Sequence, residues 1–312
     1  MGIVRKLFAM IGTVLLLSFL TFLAFQVIPG DAAQVQLGTN ATPEALEALR
    51  AEMGLDDPVP IRYARWLANA VQGDFGTSSR YRLPVSELLS QMLPNTLALA
   101  VLSLFLVLAL AFPLGIVCAR FEGGLFDRFF TWVNQTFMAI PSFFLGILIS
   151  IFLGIVLRLF VPGRAVSWNE DAAECLRYLF FPALAIALPK AAMTVRFLRN
   201  ALITEKHKDY VRTARSKGMS RTGVLLTQML GNALIPVVTF LGVIAAEVLA
   251  GSIVVEQVFG VNGLGRLLVA SIANRDYNVV QAIILYIGTA VVVVNLLVDL
   301  LYRRLDPRVR RA

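Results

Sequence analysis

At 312 residues, 58% of them hydrophobic, with a formal net charge of +8, the chain is far more apolar than a soluble domain, where about 45–50% of residues are apolar. That excess excludes an ordinary water-soluble globule and predicts an all-α membrane protein: a span needs about 20 apolar residues, and six runs come close to that length or exceed it. The positive charge is gathered in a few loops, which argues for membrane topology and contact with anionic headgroups and against nucleic-acid binding.

The first run, Leu7 to Ile28, follows Arg5 and Lys6. A secretory signal peptide also begins with positive charge, but the run is longer than a signal core of roughly 7–15 residues and lacks a clean small-x-small cleavage site. It reads as span one, with residues 1–29 as the N-terminal tail and first transmembrane helix. Residues 30–95 are expected to form an extracytoplasmic helical cap. Thr42 is placed to cap a helix with Pro43 at its first position, Leu46, Leu49 and Met53 recur at helical spacing, and Gly54 ends it. After Asp57-Pro58, a second helix puts Tyr63, Trp66, Leu67 and Ala70 on one apolar face, and Gly73 is positioned to stop it. G73-DFGTS-78 reads as a turn, and Val85 to Leu93 as a short amphipathic helix leading into span two at Pro94.

Residues 96–312 are expected to hold the other five spans: Thr96 to Ala119, Trp132 to Phe160, Leu179 to Val195, Leu234 to Val255 and Val279 to Leu301. The fourth is short, contains Pro182 and Pro189, and runs into Lys190; prolines are tolerated in membrane helices whose neighbours satisfy the freed carbonyls. Between spans three and four lies a short outer loop, Val161 to Tyr178. The third outer loop, E256-QVFGVNGLGRLLVASIANRDYN-278, has glycines at 260, 263 and 265 followed by Leu267, Leu268, Ser271 and Ile272 at helical spacing. It predicts a tight turn and a short helix dipping back toward the membrane. Cys118 near the inner end of span two and Cys175 in an outer loop fall on opposite faces and cannot pair.

Orientation follows from the distribution of Lys and Arg. The segment between spans four and five carries Lys190, Arg196, Arg199, Lys206, Lys208, Arg212, Arg215, Lys217 and Arg221 against Glu205 and Asp209. That segment is therefore expected on the cytoplasmic side. The tail, with Arg303, Arg304, Arg308, Arg310 and Arg311, agrees, as does the N-terminus. Both termini are expected to be cytoplasmic.

Catalytic signatures are sparse. No Gly-Lys dipeptide occurs, so there is no P-loop, and the single histidine, His207, supplies neither a zinc-protease helix nor an intramembrane Ser–His pair. The chain is not expected to be an enzyme or to hold a metal or other cofactor. Among ionisable residues in the spans, Glu247 lies near the middle of span five, while Arg158, Lys190 and Asp299 are close enough to span ends to snorkel. Glu247 either contacts a solute or a proton in a translocation pathway, or is a carboxylate satisfied across a helix interface or kept protonated by burial. Gly242, Ala246 and Ala250 form a stripe of small residues that suits close helix approach.

The basic segment itself has an architecture. Helix-compatible sequence continues from span four through Tyr210 and Ala214, Gly218 can take the left-handed conformation that ends a helix, and Ser220 can cap the next one, whose apolar side carries Val224, Leu225, Leu226 and Met229. The expected product is an exposed corner, Arg215 with Lys217-Gly218-Met219-Ser220-Arg221, in which Met219 is an apolar knob between charges. Such a corner suits insertion into a groove on a soluble protein; an amphipathic loop lying on headgroups is the other reading.

Residues D209-YVRTAR-215, K217-G218 and N232-ALIP-236 resemble the cytoplasmic signature loop of ABC importer permeases in the dipeptide, oligopeptide and nickel branch. The segments I28-PGD-31, L49-RAEMGLDDP-58, R62-YARWL-67, G73-DFG-76, L93-PNTL-97, V254-VEQVF-259, G263-LG-265 and R275-DY-277 are similar to the same branch. Arg212 stands where the broad pattern has Glu, Gly231 where it has Pro, and Asn262 where the branch has Pro. The resemblance implies a type I ABC importer permease with six spans, of the kind with a large outer loop after span one. It implies a coupling loop at about 200–233 and an inner-membrane location. It also implies as partners a second permease subunit, two cytoplasmic ATPase subunits that bind ATP and Mg, and an extracytoplasmic binding protein that delivers short peptides or a related small solute. The competing reading from a different class is an ion-coupled secondary carrier using Glu247.

Overall fold

The computed structural model describes residues 3–27, 34, 37, 42–53, 56–161, 163 and 171–305. The I28-PGD-31 motif, the helix stop at Gly54, residues 162 and 164–170 of the second outer loop and the basic tail beyond residue 305 lie outside the described residues. The rest is helical apart from turns and one isolated antiparallel bridge between Thr77 and Pro84. In chain order the helices are α1 (Ile3–Val27), α2 (Pro43–Met53), α3 (Val59–Val71), α4 (Val85–Arg120), α5 (Leu125–Ala139), α6 (Ser142–Val156), α7 (Ala172–Lys206), α8 (Asp209–Ser216), α9 (Arg221–Phe259), α10 (Leu264–Ala273) and α11 (Tyr277–Leu305). Among the described residues five of these are long and apolar enough to cross a bilayer, and α5 with α6 makes a sixth when that pair counts as one span.

The pair corrects an expectation. Trp132 to Phe160 is not one straight span: α5 and α6 meet at a bend of 100°. Pro141 (φ −61°) lacks an amide hydrogen and holds Ile140 in an extended conformation (φ −92°, ψ 121°), so the helix ends there and restarts in a new direction. At Pro94 the opposite occurs, and the expected short helix and span two are one helix, α4. An internal proline costs about 3 kcal/mol, but the opening turns of this helix bury Val85, Leu88 and Leu89, each contributing about 1.5–3 kcal/mol.

The chain forms two compact units, Met1–Pro94 with Asn262–Val293, and Asn95–Val261 with Val294–Ala312. In the first, Val85, Leu88 and Leu89 pack with Leu264 and Leu267 of α10 and Val279, Ala282 and Ile283 of α11. The cap helix α2 starts as expected, with the Ala45 amide donating to Thr42 Oγ1 at 3.3 Å. α3 lies along α1, where Tyr63 stacks edge-on against Phe19 and its hydroxyl is 2.7 Å from Ser18 Oγ. The turn ahead of α4 is tied to the start of α11: Ser78 Oγ donates to Asp276 Oδ2 at 2.5 Å, and the Ser79 and Arg80 amides donate to the same carboxylate.

In the second unit α7 is central. Ala183, Ala185, Ile186 and Ala187 pack with Leu99 and Val107 of α4 and Ile244, Val248, Val255 and Phe259 of α9. Asp171 caps α7 by accepting from the Ala173 and Glu174 amides. Cys175 lies in the first turns of this helix, not in a loop, and both cysteines are buried and free. Glu256 is likewise inside α9 and not in an outer loop: it is fully buried and accepts from Thr96 Oγ1 at 2.8 Å.

Candidate functional site

The corner forms from three local devices. α8 ends in a tightened turn, with the Lys217 amide donating to Thr213 O at 3.1 Å, that of Gly218 to Arg215 O at 2.9 Å and that of Met219 to Ala214 O at 3.3 Å. Gly218 has φ +87°, the left-handed region that closes a helix and that a side chain disfavours. Ser220 then caps α9, its Oγ accepting from the Gly223 amide at 3.0 Å. Arg215, Lys217, Gly218, Met219, Ser220 and Arg221 are all exposed. Met219, at 38% exposure, is a large hydrophobic side chain that the rest of the described chain leaves uncovered.

Beneath this exposed tip is a packed floor. Val211, Val224, Leu225 and Met229 join Ala119, Leu198, Leu202, Ala233 and Val237 in one buried cluster, while Leu226, expected on the apolar side, faces outward.

Polar braces fix the floor to the neighbouring helices. Arg199 forks onto Asp127 with two bonds of 2.6 Å, and the same carboxylate accepts from the Gly123 amide at 2.8 Å. Its side chain is only 3% exposed. Lys206 reaches Glu122 at 2.5 Å, and Arg120 Nε donates to Thr222 Oγ1 at 3.1 Å. Glu205 is buried and accepts from Lys208 Nζ and the Tyr210 hydroxyl, both at 2.6 Å. Burial, helped by the bond to Glu205, pushes the Tyr210 phenol above its ordinary pKa. A cavity of about 270 Å³ beside the tip is lined by Arg120, Lys206, Arg215 and Arg221 over Ala119, Leu225 and Met229.

Sequence reading counted Arg199 and Glu205 as loop charges and did not single out Asp127. Their partners are about 70 residues away or across a turn, beyond the reach of periodicity.

Glu247 is not part of the corner. It lies farther along α9, where Lys190 Nζ donates to its Oε2. Lys190 therefore does not snorkel to a span end; it sits midway along α7, which extends from 172 to 206. The small-residue stripe is only partly a seam: a Cβ on Gly242 would lie 2.6 Å from Val298 Cγ1 of α11, whereas Ala250 is exposed. Among the described residues no group of three or more His, Cys, Asp and Glu side chains is placed to hold a metal ion.

Two family descriptions match the sequence. "Binding-protein-dependent transport system inner membrane component" matches residues 111–311, and the N-terminal part of such membrane components matches residues 2–100. A Brucella abortus protein named as a peptide transport system permease is 37% identical, covering 99% of this chain and 98% of its own length. The oligopeptide transport system permease protein AppB of Bacillus subtilis is 36% identical over 98% of both chains. The glutathione transport system permease protein GsiC of Salmonella paratyphi A is 35% identical over 99% of this chain and 98% of its own.

Proposed function

We propose how this chain works from the family to which it belongs: it is a binding-protein-dependent transport system inner membrane component, the permease subunit of an ABC importer, and ATP hydrolysis lies in separate subunits. In the bacterial inner membrane it pairs with a second permease subunit, with both termini in the cytoplasm. Two ATPase subunits, which bind ATP and Mg, sit below the pair, and an extracytoplasmic binding protein delivers solute above it. This chain needs no cofactor of its own. The solute class is short peptides or related small molecules, in keeping with the names of its relatives.

The observation that carries the mechanism is the exposed tip on a braced floor. A corner that projects one apolar side chain, while Arg199–Asp127 and the cluster around Val224 hold its base, transmits a push without deforming. Closure of the ATPase pair moves Lys217–Arg221, and the helices continuous with them, α7 through α8 and α9, exchange inward-open and outward-open packings. Docking rests on Met219 and the backbone shape more than on any one exposed charge. The carrier reading loses its footing here, since Glu247 is held by an ammonium and the chain belongs to a family of ATP-driven permeases.

Gly218→Val tests the corner. A Cβ at this position meets nothing within 4 Å, so the variant acts only through the left-handed backbone, at a cost of about 1–2 kcal/mol or more for a branched residue. The expected result is normal insertion with uptake and solute-stimulated ATP hydrolysis both lost. Uptake at the wild-type rate would remove the docking role.

A further inference from the structure

The Lys190–Glu247 pair is only partly coordinated. Lys190 Nζ has three protons to donate and gives one to Glu247; the carboxylate has room for about four hydrogen bonds and receives one. Among the described residues no further protein partner meets either group. Yet the lysine side chain is 21% exposed and the glutamate 42%, within two helices long and apolar enough to span the bilayer. Val243, Ala250 and Val254 lie on the exposed face of α9 that includes Glu247, and two turns away along both helices Phe197 stacks on Phe240 with ring centroids 4.4 Å apart.

A half-satisfied ion pair turned toward acyl chains is among the costlier arrangements a span can hold, because neither ion recovers its hydration. The pair's unfilled valences are of both signs, ammonium protons on one side and carboxylate lone pairs on the other, so only a partner that is itself charged at both ends completes them. We infer that Lys190 and Glu247 form a binding site for the charged ends of a zwitterionic solute, Lys190 taking its carboxylate and Glu247 its ammonium. In the empty site the two side chains serve as each other's counter-ion, which keeps a charged site tolerable inside the membrane. Solute entry exchanges one ion pair for two, and solute departure restores the first. Such exchange gives selectivity without deep binding, which a transport route requires.

This site rests on the reading of the chain as a peptide permease, and the test separates the two. The complete transporter, with its partner subunits and binding protein, is reconstituted in proteoliposomes and offered Ala-Ala, its C-terminal amide or its N-acetyl derivative. The binding protein is the same throughout, so its own preference cancels when variants are compared with wild type. Lys190→Met should reduce the preference for Ala-Ala over the amide by about tenfold or more, the worth of a charge-assisted hydrogen bond, while leaving the preference over the N-acetyl peptide. Glu247→Gln should do the converse. The double variant Lys190→Met/Glu247→Met leaves no unpaired charge and should lose both preferences.

Unchanged preference ratios in the transporting variants would overturn the site alone. A double variant that fails to insert, or that loses all three peptides equally, would mark the pair as a structural brace and also overturn it. If wild type takes up none of the three peptides, the peptide reading fails and the site with it.

Discussion

Single carboxylates in this chain are used as backbone or cation clamps. Asp127 holds the Arg199 guanidinium and the Gly123 amide, and Asp276 gathers Ser78 Oγ with the amides of Ser79 and Arg80. Asp276 is 1% exposed, whereas Arg80 and Arg82 on the loop it holds are exposed. Removing the carboxylate frees buried donors and lets the loop open locally. Asp276→Ala should therefore speed tryptic cleavage after Arg80 and Arg82 by about tenfold, equal to about 1.4 kcal/mol of opening free energy. An unchanged cleavage rate, measured on the folded protein in detergent, would show that the loop is held by other contacts.

At the scale of helices, close approach is decided by small residues. Gly242 of α9 faces Val298 of α11, and an added side chain would collide with a β-branched neighbour that has little rotamer freedom. Gly242→Val should lower thermal stability in detergent by about 1–3 kcal/mol through overpacking, and Val298→Ala in the same chain should restore most of it. A restoration smaller than the error of measurement would move the close contact elsewhere. The stripe that drew attention to Gly242 was readable as a period of four, but Ala250 satisfies the same period and is exposed. Periodicity marks a candidate face and does not say which neighbour occupies it. The same limit explains span three, where a count of apolar residues passed over Pro141, and Glu256, which looked like the start of a loop because its buried partner, Thr96, is 160 residues away. The corner was legible almost residue by residue because everything that shapes it is local: the glycine at a left-handed position, the serine cap three residues before its donor, and the charges around Met219. Lys190 was misplaced because the prolines at 182 and 189 suggested a short helix, whereas α7 runs through both, packed between α4 and α9.

For the molecule as a whole, the chain is a permease subunit and ATP hydrolysis lies in separate subunits; in the proposed account this chain is the route and its exposed corner the lever. In that account the packed, braced floor of the corner carries the load, and the short exposed turn Lys217–Arg221 is the proposed contact surface. Wild-type Cys118 and Cys175 are buried, so a thiol introduced by Met219→Cys reports on the tip alone. The central claim is tested by labelling that thiol with a maleimide in the isolated chain and in the complete transporter, and by cross-linking it with a short bifunctional reagent. The account predicts fast labelling of the isolated chain, strong protection in the complex, and a cross-link to an ATPase subunit that stops uptake. Equal labelling in both states, with uptake unaffected by the attached group, would contradict it.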